Sequence, residues 1–220
     1  MSKWIIVLAA LLITIGGFFF VKWWISPKRE LERSRAALSA ARSWHMHTVR
    51  VFATIPPETV DVDVVCPSFQ HRVAQQARTD GTLASYEYIA FNGQIYNRVE
   101  DQWILSKTPA TDMWNCDHHG TLLDGDGNSL PYAAILNEGT IRRGEVRESG
   151  DEGCRDYEIA VPTPTNILER EYHFFLCIND RDHLPRETRR TVRGSDHEDV
   201  ILYSRWNEKN EPVLPADFPR

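Results

Sequence analysis

The distribution of apolar residues divides the chain into a short N-terminal block and a long mixed region. Residues Trp4–Ile25 are almost continuously apolar, and Lys22 is the only charged residue among them. A helix of this length matches a hydrocarbon core of about 30 Å, and tryptophans stand at both of its ends, where indole rings prefer the membrane interface. The block lacks the small-residue cleavage site of a signal peptide. We therefore predict an uncleaved membrane anchor over residues 1–26.

A helix is predicted directly after this block. Ser26 can cap its N-terminus, and Pro27 suits the first helical position because that N–H would be unpaired in any residue. The stretch up to about Ser43 carries a weak apolar stripe that includes Leu31 and Leu38. The pattern favours a helix that packs on a sheet. A helix that lies on the membrane surface is the alternative, because the stretch begins with basic residues close to the anchor.

Beyond Ser43 apolar and polar residues alternate, which is typical of β-strands. The clearest hairpin turns at Asn92-Gly93, a dipeptide that suits a two-residue turn with positive φ at both positions. This turn predicts three facing pairs, namely Phe91–Gln94, Ile89–Tyr96 and Glu87–Arg98. We expect the other, nearly apolar face of the hairpin to point into the interior; it carries Tyr86, Tyr88, Ala90, Ile95 and Val99.

Similar alternating segments precede and follow this hairpin. They cover residues 45–54, 59–66, 70–78, 140–148, 154–162, 170–179, 186–193 and 199–207. A turn-rich loop at 107–128 and a short helix between Ser129 and Gly139 separate the earlier strands from the later ones. The sequence thus predicts an α+β domain over residues 27–220, built on one antiparallel sheet of eight or more strands.

Two of the four cysteines fall in neighbouring predicted strands. If Cys154 lies opposite Cys177, the Cα atoms are about 4.5–5.5 Å apart, within disulfide reach. This register also opposes three compatible pairs: Tyr157–Phe174, Ile159–Tyr172 and Glu158–His173. It turns one apolar face inward, with Tyr157, Ile159, Phe174 and Leu176, and leaves Phe175 outside. We predict disulfides Cys154–Cys177 and, by elimination, Cys66–Cys116; buried thiols in a reducing compartment are the alternative.

The charged and histidine-containing segments offer little for catalysis. His45 and His47 share a strand face, and Asp117, His118 and His119 form a second cluster, but zinc needs three or four converging ligands and nothing local brings these groups together. Asp124, Asp126 and Asn128 resemble a calcium loop that lacks its central glycine and closing glutamate. No phosphate loop or nucleophile elbow is present. We expect no metal, no cofactor and no enzymatic activity.

A run of arginines occupies one of the last predicted strands. Its members are Arg186, Arg189, Arg190 and Arg193. We interpret the run as a solvated sheet edge, since positive charge protects an edge from pairing with other chains. Contact with anionic lipid head groups is the alternative, because the anchor would keep the domain near a bilayer.

Several stretches together resemble the LolA-like lipoprotein-carrier superfamily. They are CPSFQHRV at Cys66–Val73, FNGQIYNRVEDQW at Phe91–Trp103, CRDYEIAVP at Cys154–Pro162 with the later INDRDHLPRET, and the closing YSRWNEKNEPVLPADF. The resemblance covers most of residues 28–218. It implies an unclosed half-barrel covered by helices, with a concave apolar surface that shelters acyl chains. The ligand-binding residues expected on that surface are Tyr86, Tyr88, Ile95, Trp103, Tyr157, Ile159, Phe174 and Leu176.

Three hypotheses about function follow. The first is a membrane-anchored envelope domain that binds lipid or lipoprotein acyl chains for local transfer or sensing, since a tethered domain cannot shuttle far. The second is an interaction module of the same fold, filled by its own side chains and docking an envelope protein. The third is a metal-dependent enzyme that uses His45, His47 and the 117–119 cluster. The net charge of −6 argues against nucleic acid as a partner.

Two signals conflict over the orientation of the domain in the membrane. Basic residues follow the predicted span and favour a cytoplasmic domain by the positive-inside rule, whereas paired cysteines favour export. Long domains translocate largely regardless of charge, and the resemblance also points to export. We expect a single-pass protein of a bacterial inner membrane with its domain in the periplasm, and a cytoplasmic domain as the alternative.

Overall fold

A computed structural model describes residues 26–78, 80–107, 121–122, 130–131, 135–137, 139–149, 152–162, 171–192, 196–209 and 211–219. These ranges contain helix α1 (Pro27–Ala40) and two series of strands. The first series is β1 (Ser43–Val51), β2 (Glu58–Val65), β3 (Phe69–Ala77), β4 (Leu83–Phe91), β5 (Gln94–Val99) and β6 (Gln102–Leu105). After the short strands β7 (Thr121–Leu122) and β8 (Leu130–Pro131), the second series is β9 (Thr140–Ser149), β10 (Glu152–Pro162), β11 (Glu171–Ile178), β12 (Pro185–Val192) and β13 (Glu198–Ser204).

The main sheet joins two meanders through the first and the last strand of the chain. Its eleven strands run in the order β6-β5-β4-β3-β2-β1-β13-β12-β11-β10-β9, and every neighbouring pair is antiparallel. Only the β1–β13 pair joins strands that are distant in sequence. The order is open, with β6 and β9 at its edges, which agrees with the expected unclosed half-barrel.

Helix α1 packs on one face of this sheet, here called the inner face. Pro27 stands in its first turn as predicted, while the Ser26 side chain makes no capping hydrogen bond. The helix ends at Ala40, before the predicted Ser43, because the backbone turns extended at Ala41 and enters β1. Leu31 is completely buried and Leu38 packs beside it. The interpretation as a sheet-packing helix is confirmed for this contact.

The inner face carries two apolar clusters. The helix-covered cluster contains Leu31, Ile135, Leu136, Tyr157, Ile159, Val161, Phe174, Leu176 and Ile178. The sheet cluster contains Met46, Val60, Val62, Val64, Ala74, Ile201 and Tyr203. Cross-strand registers place both on the same face, since Leu176, Thr188, Ile201, Thr48 and Val60 are successive neighbours across five strands.

The β4–β5 hairpin has the register that its turn predicts. Phe91 faces Gln94 and Ile89 faces Tyr96, while Arg98 lies 3.7 Å from Glu87 in an ion pair. Both turn residues have positive φ, 51° at Asn92 and 78° at Gly93. The three pairings are thus confirmed.

Each face of this hairpin is buried only in part, whereas the alternation predicted one interior and one solvent-exposed face; Tyr86 and Val99, expected in the interior, are about half exposed. On the inner face Tyr88, Ala90 and Ile95 are buried. On the outer face Ile89 is completely buried in a third cluster with Val65, Phe69 and Phe218. Phe218 belongs to the C-terminal segment.

The predicted disulfide between Cys154 and Cys177 is confirmed, with 5.3 Å between the Cα atoms. The register predicted for its hairpin is wrong by two residues. Tyr157 faces Leu176 rather than Phe174, and Ile159 faces Phe174 rather than Tyr172; Glu158 faces Phe175 instead of His173. A shift of two leaves every side chain on its predicted face, because strand side chains alternate with period two. Cys66 is disulfide-bonded as well, and its predicted partner Cys116 lies outside the described residues.

Two other local predictions are wrong. The arginine run lies on β12, which sits between β11 and β13 and is not a sheet edge. Its charges are paired instead: Arg190 with Asp199 and Arg189 with Glu187, while Arg193 lies outside the described residues. The helix predicted from Ser129 begins later, because Leu130 and Pro131 pair as a strand with Thr121 and Leu122; residues 135–137 are helical.

The described segments include no helix that is long and apolar enough to cross a membrane. The predicted span at Trp4–Ile25 lies outside them, as do the 117–119 cluster and the loop with Asp124, Asp126 and Asn128.

Candidate functional site

Seven of the eight residues expected to bind a ligand share the inner face. Tyr86, Tyr88 and Ile95 lie there on the first meander, and Tyr157, Ile159, Phe174 and Leu176 on the second. Trp103 lies on the outer face, because it pairs in register with Arg98. The structure thus brings seven residues to one surface but distributes them over two distant parts of it.

The four residues on β10 and β11 form the floor under helix α1. Each is at most 3% exposed and packs in the helix-covered cluster. Burial raises the pKa of Tyr157 to about 12, and the nearby Glu30 carboxylate adds to the shift. Glu30 in turn contacts His183 Nδ1 at 2.5 Å and so links the helix to the β11–β12 turn. This part of the inner face is closed by the protein's own side chains.

The three residues on β4 and β5 are in different surroundings. Tyr88 and Ile95 are buried, but Tyr86 is 52% exposed and its hydroxyl donates a hydrogen bond to Asn97 at 2.8 Å. Val99 and Ile104 lie beside Tyr86 on the same face and are each about half exposed. These three residues form an exposed apolar margin of the inner face next to edge strand β6.

Between the margin and the helix-covered cluster lies the sheet cluster. Its members and the side chains packed against them belong to the strands, to the β2–β3 turn and to the turn after β13, and none of those described is helical. The Trp206 ring stacks on Tyr203 with centroids 5.7 Å apart and lies 5.8 Å from the ring of Trp44. The apolar surface therefore continues past the helix toward the margin.

Two polar side chains interrupt this apolar surface, and they were not expected from the sequence. Gln70 and Arg72 alternate on β3 and therefore share the inner face with Ala74. Gln70 is only 3% exposed, and neither of its amide atoms makes a hydrogen bond. The guanidinium carbon of Arg72 lies 6.0 Å from the centre of the Tyr88 ring. Their position on the inner face could have been predicted from the alternation along β3, because Arg72 is two and Gln70 four residues before the buried Ala74.

The pKa of Tyr88 reflects this setting. Burial raises the pKa of Tyr88, and the positive charge of Arg72 and hydrogen-bond contacts with Arg72 and Gln70 oppose that increase. Gln70 is thus near the phenol, although its amide atoms form no hydrogen bond of normal geometry.

Charged side chains also cross the inner face at one end, but they are paired. Arg190, Asp199, Arg50 and Glu58 are successive neighbours across β12, β13, β1 and β2. Asp199 is completely buried and contacts Arg190 and, at 2.8 Å, His197; Arg50 donates to Glu58 at 2.8 Å. Because buried charges persist when they are paired, we interpret this row as structural.

The outer face carries the histidines that suggested a metal. His45 lies 3.0 Å from Asp63, His47 lies 2.8 Å from Asp61, and His71 lies 2.7 Å from Glu87. Among the residues that the structure describes, no group of three or more His, Cys, Asp or Glu side chains could hold a metal ion. The hydrogen bond with His45 is the main reason why the pKa of Asp63 falls to about 2, and Arg205 and Lys209 add to it.

Trp103 packs on the outer face against the C-terminal segment. Its ring lies 5.6 Å from Phe218 and 5.4 Å from the guanidinium of Arg98. A separate cleft of about 370 Å³ lies at the β9–β10 and β11–β12 turns, lined by Val146, Gly153, Asn179, Asp180, Arg181, Asp182 and Arg186. Its lining is largely polar, and none of the expected ligand-binding residues belongs to it.

No protein-family model matches the chain, and neither does any curated protein sequence. Among solved structures, LprF from Mycobacterium bovis aligns with a TM-score of 0.57 at 14% identity, over 86% of this chain and 96% of LprF. The MucA/MucB complex of Pseudomonas aeruginosa aligns with a TM-score of 0.40 at 13% identity, over 82% of this chain and 56% of the matched chain. The LolA superfamily protein NE2245 from Nitrosomonas europaea aligns at 0.31 and 9% identity, over 86% of this chain and 96% of NE2245. The last two scores are too low for a comparison of sites.

These likenesses concern the fold. The alignment with LprF shows that the chain shares the fold of that protein, and the open antiparallel sheet with a helix across one half agrees with the unclosed half-barrel expected from the sequence.

Proposed function

We propose that this protein binds a hydrophobic ligand, such as a lipid or lipoprotein acyl chain, on the inner face of its sheet. The observation that carries the proposal is the asymmetry of that face. One apolar surface spans both meanders, but α1 contributes side chains only to the cluster on β10 and β11. The ligand is then placed at the half-exposed margin of Tyr86, Val99 and Ile104, and it extends toward the sheet cluster, whose side chains are at most 7% exposed.

This placement revises the expected ligand contacts. Tyr157, Ile159, Phe174 and Leu176 support the fold from beneath the helix, whereas Tyr86, Tyr88 and Ile95 contact the ligand. Trp103 stabilises the C-terminal segment on the other face.

The proposed mechanism is burial without covalent chemistry. Each sheltered CH₂ of an acyl chain contributes about 0.8 kcal/mol, so a chain can be retained by the apolar surface alone. We propose a carrier or sensor that has no enzymatic role, because the histidines and carboxylates of the outer face are engaged with one another.

We also propose that the domain works in the periplasm of a bacterial envelope, held at the inner membrane by residues 1–26. The Cys154–Cys177 disulfide supports an oxidising compartment. A domain tethered in this way would hand its ligand on locally or report its presence.

The test is the mass of the domain under native and then denaturing conditions, after export of residues 27–220 into a bacterial envelope. We expect an extra lipidic mass that leaves on denaturation. Tyr86→Ser should retain less of it. Leu83→Ser, a change on the outer face of the same strand at a residue that is 68% exposed, should retain as much as the wild type. Equal loss in both variants, or no lipid in the wild type, would contradict the proposal.

An interaction module is the second candidate function. It is favoured by the exposure of Ile104 and Leu105 on edge strand β6, where unpaired backbone groups can accept a strand from another protein. Replacing Leu105, which is 51% exposed on the outer face of β6, by Lys should then abolish capture of an envelope protein in cross-linking, while the lipid content stays unchanged.

A further inference from the structure

Three polar side chains converge within the apolar part of the inner face. Gln70 and Arg72 are two residues apart on β3, and Tyr88 lies directly opposite Arg72 on β4. Trp44 lies in the same cross-strand row as Gln70, with only Val64 between them. The four side chains therefore occupy two adjacent rows of one face.

These side chains carry buried hydrogen-bonding atoms that have no partner of normal geometry among the described residues. The amide nitrogen and oxygen of Gln70, the Nε of Arg72 and the indole nitrogen of Trp44 are all buried without a hydrogen-bond partner. Burial of unpaired polar groups opposes folding, so native proteins pair nearly all of them. Their presence on two adjacent rows of one face indicates a polar partner beyond the described residues.

The charge at this place is also unbalanced. In the part of the chain that the structure describes, Arg72 forms no ion pair with a carboxylate. Its guanidinium lies over the ring of Tyr88. The neighbours of Arg72 in its own row are Val62, Tyr88 and Asn97 on the adjoining strands. Other arginines of the inner face, such as Arg50 and Arg190, are paired with acidic residues.

The chemistry of these atoms selects the class of group that they can bind. A guanidinium N–H, an amide NH₂ and an indole N–H are donors, and only the Gln70 Oε1 is an acceptor. Donors around an unpaired cation complement an oxyanion, whose hydrogen bonds to charged donors are among the strongest in proteins. The surrounding Val62, Val64, Ala74 and Ala90 are apolar and suit a hydrocarbon chain.

We infer that Gln70, Arg72 and Trp44 bind the anionic head group, a carboxylate or phosphate, of an acyl amphiphile whose chain lies along the sheet cluster. This inference rests on the proposed function, because it assigns the head of the ligand whose tail the apolar surface shelters. Tyr88 borders the head-group site and holds Arg72 against its ring.

The experiment compares three probes on the delipidated domain of residues 27–220 with both disulfides formed: oleate, oleyl phosphate and uncharged methyl oleate. Displacement of a fluorescent fatty-acid analogue gives each affinity. We expect the wild type to bind the two anionic probes about tenfold more tightly than methyl oleate, as charged hydrogen bonds would provide. Gln70→Leu and Arg72→Met should lose that preference and bind methyl oleate as the wild type does.

Two controls sharpen the result. Gln75→Leu makes the same change at an exposed position on the outer face of the same strand, and it should behave like the wild type. Inorganic phosphate should not displace oleyl phosphate at millimolar concentration. If it does, the site serves a free anion and the inference of an amphiphile is wrong.

The remaining outcomes separate this inference from the proposed function. Equal binding of all three probes, unchanged in Gln70→Leu and Arg72→Met, would overturn the head-group site and leave the hydrophobic site standing. Absence of binding of any probe to the wild type would overturn both. Gln70→Leu should also raise the melting temperature of the ligand-free domain, because it removes a buried amide without a partner. If Gln70→Leu and Gln70→Met both melt at a lower temperature than the wild type, the amide is structural and the inference is wrong.

Discussion

Cys154 and Cys177 are bonded across β10 and β11 although they do not face each other in the register. Cys177 faces Asp156, and Cys154 lies two residues earlier on the same strand face. Arg147, which faces Cys154 from β9, reaches over this position to Asp156 at 2.8 Å and to Glu187 at 2.9 Å. The disulfide is therefore a buried diagonal link between β10 and β11 beneath a bridging cation, and together the disulfide and Arg147 connect the four strands from β9 to β12.

Removal of this disulfide should destabilise the domain. The bridge joins residues that are 23 positions apart, and closing such a loop in the unfolded chain corresponds to about 3 kcal/mol. We expect Cys154→Ala/Cys177→Ala to lower the free energy of unfolding in urea by that amount. A reductant should affect the double variant less than the wild type. An unchanged midpoint would mean that the bridge is dispensable.

Replacement of Arg147 should show the cost of a buried carboxylate that keeps only one of its two arginine partners. Burial raises the pKa of Glu187, but hydrogen bonds from Arg147 and Arg189 bring the pKa below its usual value. Arg147→Met should lower the free energy of unfolding by about 2 kcal/mol at pH 7, and by less at pH 4, where Glu187 can take up a proton. Arg142→Met, at an exposed position of the same strand, serves as the control. Equal effects of the two changes would contradict the bridging role.

The helix-covered cluster should respond to truncation as a core does. Leu176 is completely buried under α1, so Leu176→Ala should lower the free energy of unfolding by about 3 kcal/mol. The control is Leu202→Ala on the outer face, where the side chain is 41% exposed and the loss should stay below about 1 kcal/mol. Chemical denaturation measures both. If Leu176→Ala folds with unchanged stability and loses ligand, the residue belongs to the binding site instead of the floor.

Asp63 should make the stability of the domain depend on acid pH. Its pKa is about 2 in the folded protein against 3.8 ordinarily, so its contribution is fully present above about pH 4 and is lost as the pH falls through about 2. Asp63→Asn should flatten the decrease of the melting temperature over this window. Asp101→Asn, which removes the same charge from an exposed turn, should leave the slope as it is in the wild type. Parallel curves for wild type and Asp63→Asn would exclude the coupling.

Local features of the sequence predicted much of the sheet. The Asn92-Gly93 turn defined the β4–β5 register because positive φ at two successive residues leaves one pairing for the flanking strands. The faces of β10 and β11 were also correct, although their register was not. Alternation specifies which side of a strand is buried, and it is insensitive to a shift of two residues. For the same reason the Cys154–Cys177 bridge was predicted correctly, although the predicted register placed the two cysteines directly opposite each other and the structure does not.

The sequence by itself determined most of the strands, their buried sides and the Cys154–Cys177 bridge, because each depends on spacing within a short segment. Only the tertiary structure decided that β13 returns to pair with β1, which places the arginines of β12 inside the sheet. It also decided that α1 covers only one part of the inner face, so that Phe174 became core and Tyr86 stayed at the margin. Contacts between segments more than a hundred residues apart, such as the pairing of β1 with β13, leave no local periodicity from which they could be predicted.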